Sequence, residues 1–215
     1  MVLNMGNFFV LLLAVMVLMA AYAFYRKSIA RKRSQWIDQF QFPATITTKI
    51  LQAYPHLTDQ QAALVIKALR EYFQLCNVAG KRVVSMPSQV VDLAWHEFIL
   101  FTRQYQQFCS KALGRFLHHT PAEAMKSPTV AQQGIKTAWK IACAREHIHP
   151  KSPHCLPLLF AIDGELNIPD GFKYALDCRG SDKGDYCGSH IGCSSCAGGC
   201  AGGSGCSSGC GGGGD

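Results

Sequence analysis

MPSQVVDLAWHEFILFTRQYQQFCSKALGRFLHHTP, Met86 to Pro121, is the stretch on which the reading of this chain turns. It opens at Pro87-Ser88, where a serine hydroxyl can cap the free N–H groups of a helix start. Val91, Trp95, Phe98, Thr102, Tyr105 and Cys109 then recur at steps of four and three, which is one buried stripe of an α-helix. Gly114 sits where such a helix would end in a left-handed cap. The spacing therefore predicts one long central helix around which the other elements gather. After it come Phe116-Leu117-His118-His119-Thr120-Pro121, two adjacent imidazoles between an apolar pair and a proline.

The groups capable of chemistry lie beside the apolar stripe. Asp92 and His96 are four apart, so they meet on one flank of the helix. A carboxylate that accepts from an imidazole N–H fixes the ring's tautomer and leaves its other nitrogen free for a metal or a proton. Cys109, His118 and His119 could complete a cluster if the chain doubles back after Gly114. Zinc or another transition metal is the cofactor such a set would take. A plainer reading stands beside it: Trp95, Tyr105 and Cys109 are core, and Asp92 with His96 is a structural pair. No short-spaced ligand motif of the HExxH kind is present to decide between them.

Asp92, Trp95-His96, the run Phe98 to Thr102, Tyr105, Phe108-Cys109, Gly114, Phe116 to His119 and Pro121 together resemble the glycine-rich domain-containing protein-like family. That family occurs in plants and bacteria, and the resemblance extends loosely over residues 36–176. It implies a membership without a reaction, because no activity is established for the family. Many relatives carry a second histidine two residues after the first, and this chain has Phe98 there.

Outward toward the N-terminus, Phe8 to Phe24 (FFVLLLAVMVLMAAYAF) contains no charge and no helix breaker. At about 1.5 Å per residue it spans roughly 26 Å, enough for a hydrocarbon core when flanking residues snorkel. Its Leu, Val and Phe residues contribute a summed insertion free energy of roughly −3 to −6 kcal/mol. A signal peptide would carry its positive charge before the apolar run. Here Arg26, Lys27, Arg31, Lys32 and Arg33 follow it, which predicts an N-out, C-in anchor in a bacterial inner membrane. Those five charges make up most of the formal net charge of +7, so the basic balance points to anionic lipid headgroups and not to nucleic acid. Residues 1–7 are a short leading segment, 8–25 the membrane helix and 26–35 a basic linker.

Residues 36–176 read as one helical domain. Trp36 to Pro43 is aromatic and is expected to be extended, and Thr45 to Tyr54 forms a short helix closed by Pro55. Thr58 to Gln61 is a capping box that opens an amphipathic helix through Cys76. Beyond the histidines, Ala122 to Ser127 predicts a turn of helix. Thr129 to Gln132 is a second capping box, leading a helix to Glu146. Leu158 to Ile168 places Asp163-Gly164 between two short apolar runs, a β-hairpin signal. His147, His149, His154 and Cys155 form a second concentration of candidate ligands. A solvated helix end explains them equally, since histidines suit its terminal carbonyls.

From Asp177 to Asp215 the composition changes to glycine, serine and cysteine. Cys178, Cys187, Cys193, Cys196, Cys200, Cys206 and Cys210 lie here among almost nothing apolar, a mixture that cannot bury a core. Cys193-x-x-Cys196 has metal-ligand spacing with Cys200 close behind, but no second pair completes a zinc ribbon. The fold expected is mainly α: a transmembrane helix, a helical cytosolic domain with a small β-hairpin, and a disordered glycine- and cysteine-rich tail. No P-loop, dinucleotide fingerprint or G-x-S-x-G elbow is present, which removes the commonest enzyme classes. What remains is a membrane-anchored binding or scaffolding module with a protein partner, or a metal-binding protein or enzyme using Asp92, His96, Cys109, His118 and His119.

Overall fold

A computed structural model describes residues 5–119, 128–176, 186, 187 and 191. Among them are seven helices: α1 (Met5–Gln39), α2 (Ala44–Ala53), α3 (Asp59–Ala79), α4 (Gln89–Leu100), α5 (Thr102–Leu113), α6 (Pro128–Arg145) and α7 (Leu158–Glu165). Two short strands, β1 (Tyr174–Ala175) and β2 (Tyr186–Cys187), pair in parallel. The protein is mainly α.

Every other helix packs against α3, which is therefore the centre of the domain. Its N-terminus is closed by the expected capping box: Gln61 N–H donates to Thr58 Oγ1 (3.3 Å), and Thr58 N–H to Gln61 Oε1 (2.8 Å). Gly80 ends it at a positive φ of 63°. Between these caps Val65, Leu69, Tyr72, Phe73 and Cys76 are buried. Phe73 is surrounded by rings, with Phe108 at 4.6 Å, Phe98 at 6.1 Å and Trp95 at 6.3 Å between centroids. Edge-to-face and tilted contacts of this kind add to the apolar area each ring removes from water.

The predicted central helix is two helices. Phe101 adopts φ −79° and ψ 58° and turns the chain between α4 and α5. Phe101 N–H donates to Phe98 O (3.1 Å) and Phe101 O accepts from Tyr105 N–H (2.8 Å), so few backbone bonds are lost. Both helices bury most of the stripe, Val91, Trp95 and Phe98 from one and Tyr105 and Cys109 from the other with Phe108 beside them, but Thr102, expected within it, is exposed because the chain turns there. Gly114 forms the expected left-handed cap (φ 67°, ψ 17°). The positive φ favours glycine, and a Cβ there would also push aside the Arg33 guanidinium that lies over it.

The apolar N-terminal run and the basic segment after it form one helix, α1, long and apolar enough to cross a membrane. Trp36 to Gln39 continues it in place of the expected extended entry. From Ala30 onward α1 is held by polar side chains of α3. Asn77 Nδ2 donates to Ala30 O (3.1 Å), Gln74 Nε2 to Ser34 O (3.0 Å) and Asp38 Oδ1 (2.7 Å). Arg70 donates to the carbonyls of Ile37 and Phe40, satisfying the end of the helix. These pairings rise along one helix as they fall along the other, so α1 and α3 are antiparallel.

The hairpin expected over Leu158 to Ile168 is absent, because this segment is α7. Asp163 is buried in it, not exposed at a turn. α6 begins at Pro128, one residue before Thr129, so the second capping box does not stand at a helix boundary. The turn expected at Ala122 to Ser127 lies outside the described residues, as do Cys193, Cys196 and Cys200. Within the tail β2 pairs with β1, and Ile191 packs against the core, so order reaches beyond Asp177.

Candidate metal centre

The site is built on the first two turns of α4. Ser88 caps them, its Oγ accepting from Val91 N–H (3.2 Å) and donating to Asp163 Oδ1 (2.6 Å). Asp163 also accepts from the backbone N–H groups of Gln89 (2.7 Å), Val90 (3.3 Å) and Phe172 (2.9 Å). A buried carboxylate at a helix N-terminus satisfies the orphan donors there and suits the helix dipole. With α4 pinned, Asp92 and His96 project together one and two turns in, and Asp92 Oδ2 lies 3.4 Å from His96 Nδ1.

The second half of the site returns over α5. Gly114 reverses the chain, and Arg115 donates through Nε (3.1 Å) and Nη2 (2.9 Å) to Gly80 O. Tyr105 Oη then fixes the returning strand of chain: it accepts from Trp95 Nε1–H (3.1 Å) and donates to Leu117 O (2.5 Å). Two residues later His119 lies against Trp95, ring centroids 4.6 Å apart, and against His96 at 4.1 Å. Its Nε2 is 3.0 Å from Asp92 Oδ1.

Asp92, His96 and His119 thus form a closed triangle, the one metal-competent group of His, Cys, Asp and Glu side chains among the described residues. The carboxylate meets Nδ1 of one ring and Nε2 of the other. When both N–H groups donate to it, the remaining nitrogens, His96 Nε2 and His119 Nδ1, face each other at 3.3 Å. Two facing lone pairs repel unless a cation sits between them, a proton or a metal ion; in the metal-free neutral site His96 carries its proton on Nε2 and donates it to His119 Nδ1. Nitrogens bound to one tetrahedral zinc at 2.0–2.1 Å lie about 3.3–3.4 Å apart, so the spacing fits both. Asp92 would then hold the two rings from behind, a carboxylate–histidine–metal arrangement. His96 is half exposed at 49%, His119 only 13%, so the triangle opens to solvent on the His96 side.

His118 and Cys109 do not join it. The His118 ring is exposed and stacks edge-on against Phe116 at 4.8 Å. Cys109 is buried in the core, and burial pushes its thiol up against the opposing effect of hydrogen bonds from Leu117 and Tyr105. A thiol held protonated in apolar surroundings is a poor ligand. Trp95 and Tyr105 are core residues that position the ligands without being ligands. The second histidine group does not converge either. His149 Nδ1 accepts from Ser152 N–H (3.2 Å) and lies 2.9 Å from Ser152 Oγ, while His147 turns the chain at φ 58°. Asp163, which anchors the helix carrying two of the three site residues, was not anticipated as a supporting residue, because its partners on α4 stand more than seventy positions away.

A family model described as UCP032817-like matches residues 32–193. The chain belongs to the UCP032817-like family. No curated protein and no solved structure matches it. The UCP032817-like match begins in the docked half of α1 and includes Asp92, His96 and His119 with every residue that supports them. The apolar half of α1 precedes it, and Cys196 and Cys200 follow it.

Proposed function

We propose that this chain is a membrane-anchored metal-binding protein that holds one transition-metal ion, zinc first, between His96 and His119. The observation that carries the reading is the 3.3 Å approach of His96 Nε2 to His119 Nδ1 with Asp92 behind both rings. The anchor is the apolar part of α1, set N-out in a bacterial inner membrane with the domain on the cytoplasmic side. The basic run from Arg26 to Arg33 supports that orientation. A relation to the glycine-rich domain-containing protein-like family belongs to the same proposal. Asp92, Trp95, His96, Tyr105 and His119, which carry that resemblance, are the residues that build the triangle and its support.

Metal and proton compete for the same two lone pairs, so binding releases protons and weakens as pH falls. The test is metal analysis of the full purified chain after zinc loading and dialysis, beside His96→Ala and Asp92→Asn. His96 is exposed enough that its truncation leaves the fold intact by circular dichroism. We expect His96→Ala to lose about one equivalent, whatever the tail cysteines retain, and Asp92→Asn to bind roughly 10–100-fold more weakly. An unchanged stoichiometry in His96→Ala would sink the metal reading. The triangle would then be a proton-sharing packing unit, and the module would act through a protein partner.

A further inference from the structure

The end of the domain nearest the apolar half of α1 carries a basic, partly apolar face. α1 is antiparallel to α3 through the pairings Ala30–Asn77 and Ser34–Gln74. It is antiparallel to α5 as well: Trp36 packs on Phe108 (5.4 Å) and lies under Lys111 (5.8 Å), while Arg33 reaches Gly114. The C-termini of α3 and α5 therefore both run back along α1 toward its apolar half. Arg115, donating to Gly80 O, ties the two ends together.

The distances along α1 are short. Ala30 lies about 8 Å beyond Tyr25, where the apolar run ends, at roughly 1.5 Å per residue. Gly80, nearly one turn past Asn77 on the antiparallel α3, falls closer still, about 4 Å from that point. A headgroup layer is roughly 5–8 Å thick. With α1 along the bilayer normal, Lys81, Arg82 and Val83, which follow Gly80 and are exposed, would fall at that depth. Val78 (51% exposed), Val83 (49%) and Phe116 (45%) give the same end apolar side chains suited to the interface. Segments 26–34, 77–85 and 110–116 contain nine Lys and Arg residues and no Asp or Glu.

We infer that this face is a binding surface for anionic phospholipid headgroups, with Lys81 and Arg82 as its principal contacts. The domain is pressed onto the bilayer by its own charges and does not hang from a free stalk. The inference rests on the membrane-anchor part of the proposed function and is independent of the metal.

The test uses the full chain in lipid nanodiscs, one set of neutral phosphatidylcholine and one with about a third phosphatidylglycerol, read by hydrogen–deuterium exchange. Amides 78–85 should exchange at least threefold more slowly in the anionic discs. Amides of α7 serve as the control, because His56, just before α3, contacts Leu166 O, which puts α7 at the far end of that helix. The protection should vanish in about 0.5 M salt, where exposed charges are screened. The difference between the two compositions should vanish as well in Lys81→Gln/Arg82→Gln; Arg82 Nε also donates to Ala79 O (3.2 Å), so the variant is compared with itself in the two discs and not with the unaltered chain. Equal exchange of amides 78–85 in the two compositions, with the chain incorporated in both, overturns the headgroup surface and leaves the anchor standing. Failure of the chain to incorporate into either disc overturns the anchor and this surface together, and leaves the metal reading to its own assay.

Discussion

Tyr105 shows how a core residue can decide where a ligand stands. Its single oxygen accepts from Trp95 and donates to Leu117 O, so the chain that has just reversed at Gly114 is tied down two residues before His119. Tyr105→Phe keeps the ring and removes both bonds, leaving a buried N–H and a buried carbonyl without partners. That should cost about 2 kcal/mol of stability, read as a lower melting temperature, because an unmade buried bond costs roughly 1–3 kcal/mol. It should also weaken zinc binding several-fold in a competition titration, which a loss confined to packing would not do. Leu117 O is also the reason the sequence could name Asp92 and His96 but not choose between the two later histidines. An i, i+4 pair on one helix is fixed by helical geometry alone. The choice of His119 over His118 depends on a side chain twelve positions back holding a carbonyl. Cys109 misleads for a related reason: the periodicity that marks it as part of the stripe also buries its thiol away from the imidazoles.

Among the elements, α7 is the clearest case of local signal overruled by its surroundings. Asp163-Gly164 between apolar runs reads as a tight turn, and Gly164 has open space around it. Yet Leu159, Phe160 and Ile162 are all buried in helical form, and Asp163 is committed to the N-terminus of α4. Gly171 has to be small, since a Cβ there would lie 2.7 Å from the Asp163 Cβ. Asp163→Ala strips four hydrogen bonds from one buried place and leaves the N–H groups of Gln89 and Val90 at the start of α4 without their acceptor. We expect a loss of about 3 kcal/mol or more by urea denaturation, against about 1 kcal/mol for a surface cap. A variant within about 0.5 kcal/mol of the unaltered protein would mean that water or Ser88 replaces the carboxylate. The break at Phe101 was invisible for the opposite reason: no Gly or Pro marks it, and the apolar spacing resumes at Tyr105 beyond an exposed Thr102. Elsewhere helix ends were legible, as the capping box on α3 and the left-handed cap at Gly114 attest.

For the whole molecule, the centre is α3 and not the stretch that carries the site. Amphipathicity tells that a helix has a buried side, but not how many partners share it; α3 touches all six other helices, and only the assembled fold reveals that. The same holds at the C-terminal boundary. Composition places the end of the folded domain near Asp177, because glycine and serine offer little apolar surface to offset an ordering entropy of about 1–2 kcal/mol per residue. The structure carries the fold further, with Tyr174 paired to Tyr186, Ala175 to Cys187, and Ile191 against the core. The family match ends nearby, at residue 193. Two truncations separate the alternatives. Removing residues 194–215 deletes only glycine, serine, cysteine, alanine and one aspartate, and should leave the melting temperature within about a degree. Removing 181–215 also deletes β2 and the Ile191 contact. A buried isoleucine contributes up to about 1.5–3 kcal/mol, so even partial burial should make the second melt several degrees lower. Equal melting temperatures for the two would put the boundary back at Asp177 and make the β1–β2 pairing marginal.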